Sequence, residues 1–284
     1  MPILSENWKM RPKHNWHSKL IRKYYKIRVN LTKPRSLIPD RDISAKGEKE
    51  KQLIIQIPFG GLGDHLVYSS LPELLWEQKG IKTFISNKSI FRSSSIRDFV
   101  WGLNPYVTFT DEKGWFIHKP LQNNFATLDE YLQKLFNIEG NGCPKIYYKT
   151  NLIEQLKGET IVDPSFGPSG KANGYYEKDF HKRFIEYLKN NVGDFILITH
   201  KHTNTKSTLE ELIKKVFNPN CYSTSTVKEL ADVLFSAQKR FLMYSGSASL
   251  AAALNLSSYV LCNKKAAPHF QYQINTYINL METQ

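Results

Sequence analysis

Residues 53–67 read LIIQIPFGGLGDHLV, and the reading of this stretch decides the fold. Its first half is an apolar, β-branched run too short for a helix, the pattern of a strand buried on both faces. Its second half is a glycine-rich turn ending in Gly63-Asp64, after which Leu66, Val67, Leu71, Leu74 and Leu75 recur at helical spacing. Strand, tight turn and helix in that order make one unit of a parallel α/β sheet. Ligands of such sheets bind beyond the carboxyl ends of the strands.

Outward from this unit the same grammar repeats. TFIS (83–86) and VTFT (107–110) read as strands, and Thr127 with Glu130 forms a capping box ahead of a helix carrying Leu128, Tyr131, Leu132 and Leu135. A second series opens with a strand at 159–164 and a helix that puts Phe180, Phe184 and Leu188 on one face. A strand at 195–199 follows, then a helix from Thr208 capped by Ser207, and another boxed by Thr226 and Glu229. RFLMY (240–244), an Ala-rich helix from Ser245 and SYVLC (258–262) complete it. Phe270, Ile274, Tyr277, Ile278 and Met281 fall on one helical stripe, so 269–282 reads as a helix packing across a domain junction. The expected fold class is α/β, two Rossmann-like domains with parallel sheets behind a basic N-terminal helical arm. The expected divisions are an arm and linker at 1–50, domains at 51–155 and 156–265, and the C-terminal helix within 266–284.

Composition narrows the class. With 41% hydrophobic residues in 284, the chain can bury two small cores, which argues against disorder. No apolar run approaches the roughly 18 residues that span a bilayer, and the first thirty residues lack the apolar core of a signal peptide. Cys143, Cys221 and Cys262 lie far apart with no CxxC pair, which suits a reducing cytosol better than a disulfide framework or a zinc site. The expectation is a cytoplasmic protein.

The net charge of +13 is uneven, because residues 1–35 carry +9 of it. Within them Trp16, Leu20, Tyr24 and Ile27 recur at helical spacing among Lys19, Arg22, Lys23 and Lys26. A basic helix with an apolar stripe suits an anionic membrane surface, here the inner face of the inner membrane. Packing on the body with solvated charges, or binding nucleic acid, would use the same residues; nucleic acid is not among the expected partners.

Three small-residue turns could hold a ligand. Gly60, Gly61 and Gly63 let backbone approach a ligand closely, although FGGLGDH (59–65) fits neither GxGxxG nor a P-loop. Asp64 opens a helix and also fits as a plain cap. In YSGSASLAAALN (244–255), Ser245, Gly246 and Ser247 open a helix whose N–H groups could take a diphosphate, with Ser249 beside them. Close helix–sheet packing would choose the same small residues. In DPSFGPSGKANG (163–174), Lys171 could hold a phosphate as a point charge or simply be solvated. Asp40-Arg41-Asp42 spells a metal-binding DxD but precedes any sheet, and His200 with His202 lacks a third ligand. His200 therefore reads as a strand-end loop near the ligand. No metal and no cofactor are expected.

Taken in order over residues 52–263, these motifs resemble the ADP-heptose:lipopolysaccharide heptosyltransferase family (glycosyltransferase family 9). The likeness rests on IIQIPFGGLGDHLVYSSLPELL, on IVDPSFGPSGKANGYYEKDF with Lys171 and Tyr176, and most on VKELADVLFSAQKRFLMYSGSASLAAALN. Tyr244 stands where the family has Asp, and Ser249 where it has His, two positions that help hold the donor there. The resemblance implies a GT-B enzyme moving a heptose or hexose-like sugar from a nucleotide sugar to a bacterial surface glycan or glycolipid such as lipopolysaccharide. Transfer would be inverting and metal-independent, with Asp64 as general base and His65 as a second candidate. Gly60, Gly61, Gly63, Lys171, Ser245, Gly246, Ser247 and Ser249 would bind substrate. A nucleotide-sugar epimerase and a non-catalytic glycan- or membrane-binding descendant are the competing readings.

Overall fold

The computed structural model describes residues 52–114, 127–167, 170, 173–201, 208–263 and 270–282. The basic arm and linker, the DxD triplet, Lys171, His202 and Ser207 lie outside the described residues.

The first series folds as read. Strands β1 (Gln52–Ile55), β2 (Lys82–Ser86) and β3 (Val107–Thr110) pair in parallel in that order. Between β1 and β2 run α1 (Leu62–Leu66) and α2 (Leu71–Lys79), and α3 (Ser94–Val100) connects β2 to β3. Ile55, Leu66, Leu71, Leu75 and Ile85 are fully or almost fully buried, so the apolar spacing of the sequence becomes the contact between helices and sheet. Helix α2 stops where Gly80 adopts φ +61°, a left-handed cap that a side chain would strain. Helix α4 (Leu128–Leu135) starts at the expected box, with Thr127 Oγ1 accepting from the Glu130 amide at 3.1 Å.

The second series builds a larger sheet. In chain order it runs β4 (Thr160–Asp163), α5 (Lys178–Asn191), β5 (Ile196–His200), α6 (Thr208–Phe217), β6 (Asn220–Thr224), α7 (Val227–Ser236), β7 (Lys239–Met243), α8 (Gly246–Ala253), β8 (Tyr259–Cys262) and β9 (Thr276–Asn279). The strands pair in parallel in the order β6-β5-β4-β7-β8-β9. This is the doubly wound order, and its direction reverses between β4 and β7.

The helix expected over 269–282 is corrected. Thr276–Asn279 form the edge strand β9, in parallel register with Tyr259–Cys262. The apolar spacing suggested a helix, but Thr276, Tyr277 and Ile278 are strand formers. The turn before them is fixed by Asn275, whose side-chain Oδ1 accepts from Ser258 Oγ at 2.7 Å and whose Nδ2 donates to Ala248 O at 3.2 Å. Helix α3 and strand β6 also escaped the sequence reading; β6 (NCYST) buries only Thr224.

The chain between the sheets is strapped to α7. Asp232 accepts from the Asn151 amide at 2.8 Å and from the Tyr148 hydroxyl at 3.0 Å, and Ser236 Oγ accepts from the Ile153 amide at 2.7 Å. The start of α7 is tied to α3, because the Val227 amide donates to Ser95 Oγ at 2.8 Å. Buried side chains from both sheets join one apolar core.

Candidate functional site

Loops from the carboxyl ends of both sheets meet around a cleft of about 1060 Å³. Residues 58–64 reach it from β1, 92–96 from β2, 165–167 from β4, His200 from β5, 224–227 from β6 and 244–249 from β7. The β4 and β7 segments flank the point where the strand order reverses, which is where open α/β sheets bind ligands. The volume lies at the upper end of the range for small-molecule sites.

The two small-residue turns meet at this cleft. A Cβ on Gly246 would sit 3.0 Å from Leu62 Cβ and 3.3 Å from the Gly63 amide nitrogen. A Cβ on Gly63 would sit 3.5 Å from Ser249 Oγ and 3.7 Å from Gly246 Cα. These glycines therefore let α1 and α8 touch at their N-terminal ends. Gly60 serves packing too, since a Cβ there would lie 2.9 Å from the Arg92 nitrogen, which donates to Gly60 O.

Asp64 lines the cleft from the third position of α1 and accepts from the Gly61 amide through Oδ2 at 3.0 Å. Burial raises its pKa, partly opposed by that hydrogen bond and by the Arg92 charge. Arg92 is aimed between the two halves. Its guanidinium nitrogens lie 3.5 Å from a Cβ placed on Gly61 and 3.6 Å from one placed on Gly167.

His65 is turned away from the cleft and fully buried. Its Nδ1 accepts from Trp101 Nε1 at 2.9 Å, so Nε2 carries the proton and donates to Ile90 O at 2.8 Å. The ring stacks on Phe91 with centroids 4.5 Å apart. Burial lowers its pKa to about 4. With both nitrogens engaged inside the core, His65 orders the turn and is corrected as a candidate base.

A polar network lies at the switch point. Asp163, fully buried at the end of β4, accepts from Ser247 Oγ at 2.6 Å, from the Ser165 amide at 3.0 Å and from His200 Nε2 at 3.2 Å. His200 Nδ1 lies 2.8 Å from Thr224 Oγ1. The network joins the ends of β4, β5 and β6 to the start of α8. Although burial opposes the charge on each partner, their mutual attraction and hydrogen bond lower the Asp163 pKa and raise that of His200.

The expected residues Gly60, Gly61, Gly63, Asp64, Ser245, Gly246, Ser247 and Ser249 all line the cleft. His200, the last residue of β5, lines it too. Arg92, Asp163 and Thr224 were not singled out from the sequence; a carboxylate ending a buried strand, before Pro164, was the available signal for Asp163. Tyr244 uses its hydroxyl to accept from the Phe270 amide at 3.2 Å, holding the 270 segment over the end of β7.

No protein-family model matches the chain, and no curated protein matches it in sequence. Among solved structures it is similar to the iron-containing dodecameric glycosyltransferase TibC of enterotoxigenic E. coli H10407. The TM-score is 0.57 at 12% identity, covering 81% of this chain and 63% of that one. TibC in complex with ADP-D-β-D-heptose gives a TM-score of 0.56 at 12% identity, with the same coverage of 81% and 63%. The glycosyltransferase family 9 protein of Veillonella parvula DSM 2008 gives 0.52 at 9% identity, covering 81% of this chain and 85% of that one. This chain thus spans less than two thirds of the length of TibC. The likeness is one of fold, and at that level the expected resemblance to heptosyltransferases and family 9 proteins holds.

Proposed function

We propose that this protein is a glycosyltransferase that moves a heptose or hexose-like sugar from a nucleotide sugar to a bacterial surface glycan such as lipopolysaccharide. The observation that carries the reading is that Asp64 and the Ser245–Ser247 helix start line one strand-end cleft, at the place where α1 and α8 touch. The fold likeness to TibC, which binds ADP-D-β-D-heptose, supports a nucleotide-sugar donor.

In this mechanism Asp64 is the general base. Its Oδ2 is oriented by the Gly61 amide, and a raised pKa makes it a better proton acceptor than a solvated carboxylate. It takes the proton of an acceptor hydroxyl as that oxygen attacks the anomeric carbon. The bond from that carbon to the phosphate oxygen breaks on the opposite face, inverting the configuration and leaving its electron pair on the diphosphate. The α8 N-terminus and Arg92 would stabilise that leaving group. Among the described residues no group of three His, Cys, Asp or Glu is placed to share a metal ion. Among them, too, no helix is long and apolar enough to cross a membrane. In our reading the basic arm, residues 1–35, attaches the enzyme to an anionic surface carrying the acceptor.

The Asp64–Gly61 hydrogen bond is also what a helix cap would make, which favours a non-catalytic descendant as the second reading. A thermal-shift panel of nucleotide sugars, followed by an assay for released nucleoside diphosphate, separates them. A donor at 100 times its Kd stabilises by about 2.7 kcal/mol. Stabilisation with release of nucleoside diphosphate supports transfer. Stabilisation without release, with or without acceptor glycan, supports a binding protein. An isomerised nucleotide sugar would make the enzyme an epimerase.

A further inference from the structure

The Asp163–His200 pair controls a hydroxyl that the mechanism above leaves unused. Asp163 accepts three hydrogen bonds and is fully buried, so His200 Nε2 must be the donor in their contact. What His200 does at its other nitrogen depends on its protonation. If the ring is an imidazolium, Nδ1–H donates to Thr224 Oγ1, 2.8 Å away, and the Thr224 hydrogen must point elsewhere. If the ring is neutral, Nδ1 is a lone pair and the Thr224 hydroxyl hydrogen turns toward it. The other contact of that hydroxyl is a long one, 3.4 Å to Thr199 O. Thr224 is buried to 2% exposure, yet it lines the cleft beside His200 and Ser225.

We propose that Thr224 donates its hydroxyl hydrogen to an oxygen of the nucleoside diphosphate, and that Asp163 and His200 are the positioning residues that aim it. This rests on the nucleotide-sugar reading of the cleft. A ligand oxygen with charge is a better acceptor than a distant carbonyl, so binding replaces the long Thr199 contact with a short, charge-assisted one. The groups facing His200 favour its proton. Asp163 approaches from β4 and Glu210 from α6, and both raise its pKa against the effect of burial. Ser247 Oγ of α8 reaches it only through Asp163, while Asp64 and Arg92 come from α1 and the end of β2 in the first half of the fold. Because the folded pKa is raised, the imidazolium persists above the ordinary value near 6.5 and is lost as pH climbs through the raised one. Above that point Thr224 is recaptured by the ring and the ligand loses a donor.

The test is isothermal titration calorimetry of the full-length protein with ADP, UDP and GDP from pH 6.5, the ordinary imidazole value, up to about 9.5. A terminal phosphate, with its second pKa near 6, changes charge only at the acid end of this range, and that change would raise affinity with pH, opposite to the step expected. For each nucleotide that binds, affinity should fall about tenfold as His200 deprotonates, the worth of one hydrogen bond to a charged group. Thr224→Val should bind about tenfold more weakly on the acid side of the step and lose the step itself, and Thr224→Ser should keep both. Asp163→Asn should move the step to lower pH. If that variant does not fold, the near-isosteric Thr224 pair decides alone, with thermal melts confirming their folding. Wild-type affinity in Thr224→Val, or an unchanged pH step in it, overturns the proposal while leaving the donor site standing. Failure of all three nucleotides to bind the wild type overturns the donor reading and this proposal with it.

Discussion

The backbones of Gly63 and Gly246 pack directly against each other, one opening α1 in the first half of the fold and the other opening α8 in the second. The Gly63 amide nitrogen lies 3.3 Å from where a Gly246 side chain would begin, and Leu62 Cβ lies 3.0 Å from it. A methyl group would need Leu62 to yield by a few tenths of an ångström, and a branched side chain would push the two turns apart. Gly246→Val should therefore cost about 1–3 kcal/mol of stability. For a body of this size that lowers Tm by roughly 2–4 °C per kcal/mol, readable by differential scanning calorimetry. It should weaken nucleotide binding as well, because the contact that seats the α8 N-terminus against α1 would be lost. Unchanged Tm and binding would show that the two turns are not held together by this contact.

Asp64→Asn keeps the shape of the side chain and an oxygen for the Gly61 amide, but removes the base. Tm should change little, while kcat for sugar transfer should fall by at least about 10². KM for the donor should stay near the wild-type value, because the proton is taken in the transition state. A variant with wild-type kcat would leave Asp64 as the cap of α1 and nothing more.

His65 makes a different kind of prediction. Its folded pKa is lowered to about 4, whereas in the unfolded chain it titrates near 6.5. Between these values the unfolded state binds the extra proton, so stability falls as pH drops from 6.5 toward 4 and is unaffected above. The gap corresponds to on the order of 3 kcal/mol. Urea denaturation at pH 7, 5.5 and 4.5 should show this loss in the wild type and a smaller one in His65→Gln. Equal acid sensitivity in both would mean that other groups drive it.

The fold was legible because each unit of it is local. β1, the turn and α1 are written in fifteen consecutive residues, and Thr127 and Thr226 cap their helices as the spacing predicts, each side chain accepting from the amide three residues on at 3.1 Å. Where the pattern was missing, so was the reading. β6 buries one residue of five, and β9 gets its conformation from pairing with β8 and from Asn275, which a helical spacing of Phe270, Ile274 and Tyr277 disguises. The candidate site was half legible for the same reason. Turns announce themselves by glycine and serine, but Asp163, His200 and Thr224 come together only because three strands end side by side. Nothing local distinguished buried His65 from a reactive histidine either; its partners Ile90 and Trp101 are 25 and 36 residues away.

Residues 1–35 carry +9 of the +13 net charge, beside an apolar stripe of Trp16, Leu20, Tyr24 and Ile27. Basic residues near an anionic leaflet contribute about 1 kcal/mol each, and salt screens that attraction over roughly 8–10 Å. The protein should co-sediment with vesicles of phosphatidylglycerol and phosphatidylethanolamine at low salt, less so at 0.5 M NaCl, and scarcely with phosphatidylcholine alone. Deleting residues 1–35 should abolish the binding while leaving nucleotide-induced thermal stabilisation intact, since the described lining of the cleft comes from Pro58 to Phe270. Equal binding to charged and neutral vesicles, or binding that survives the deletion, would remove the arm as the membrane contact. A deletion that also removed nucleotide stabilisation would show that the arm supports the body instead.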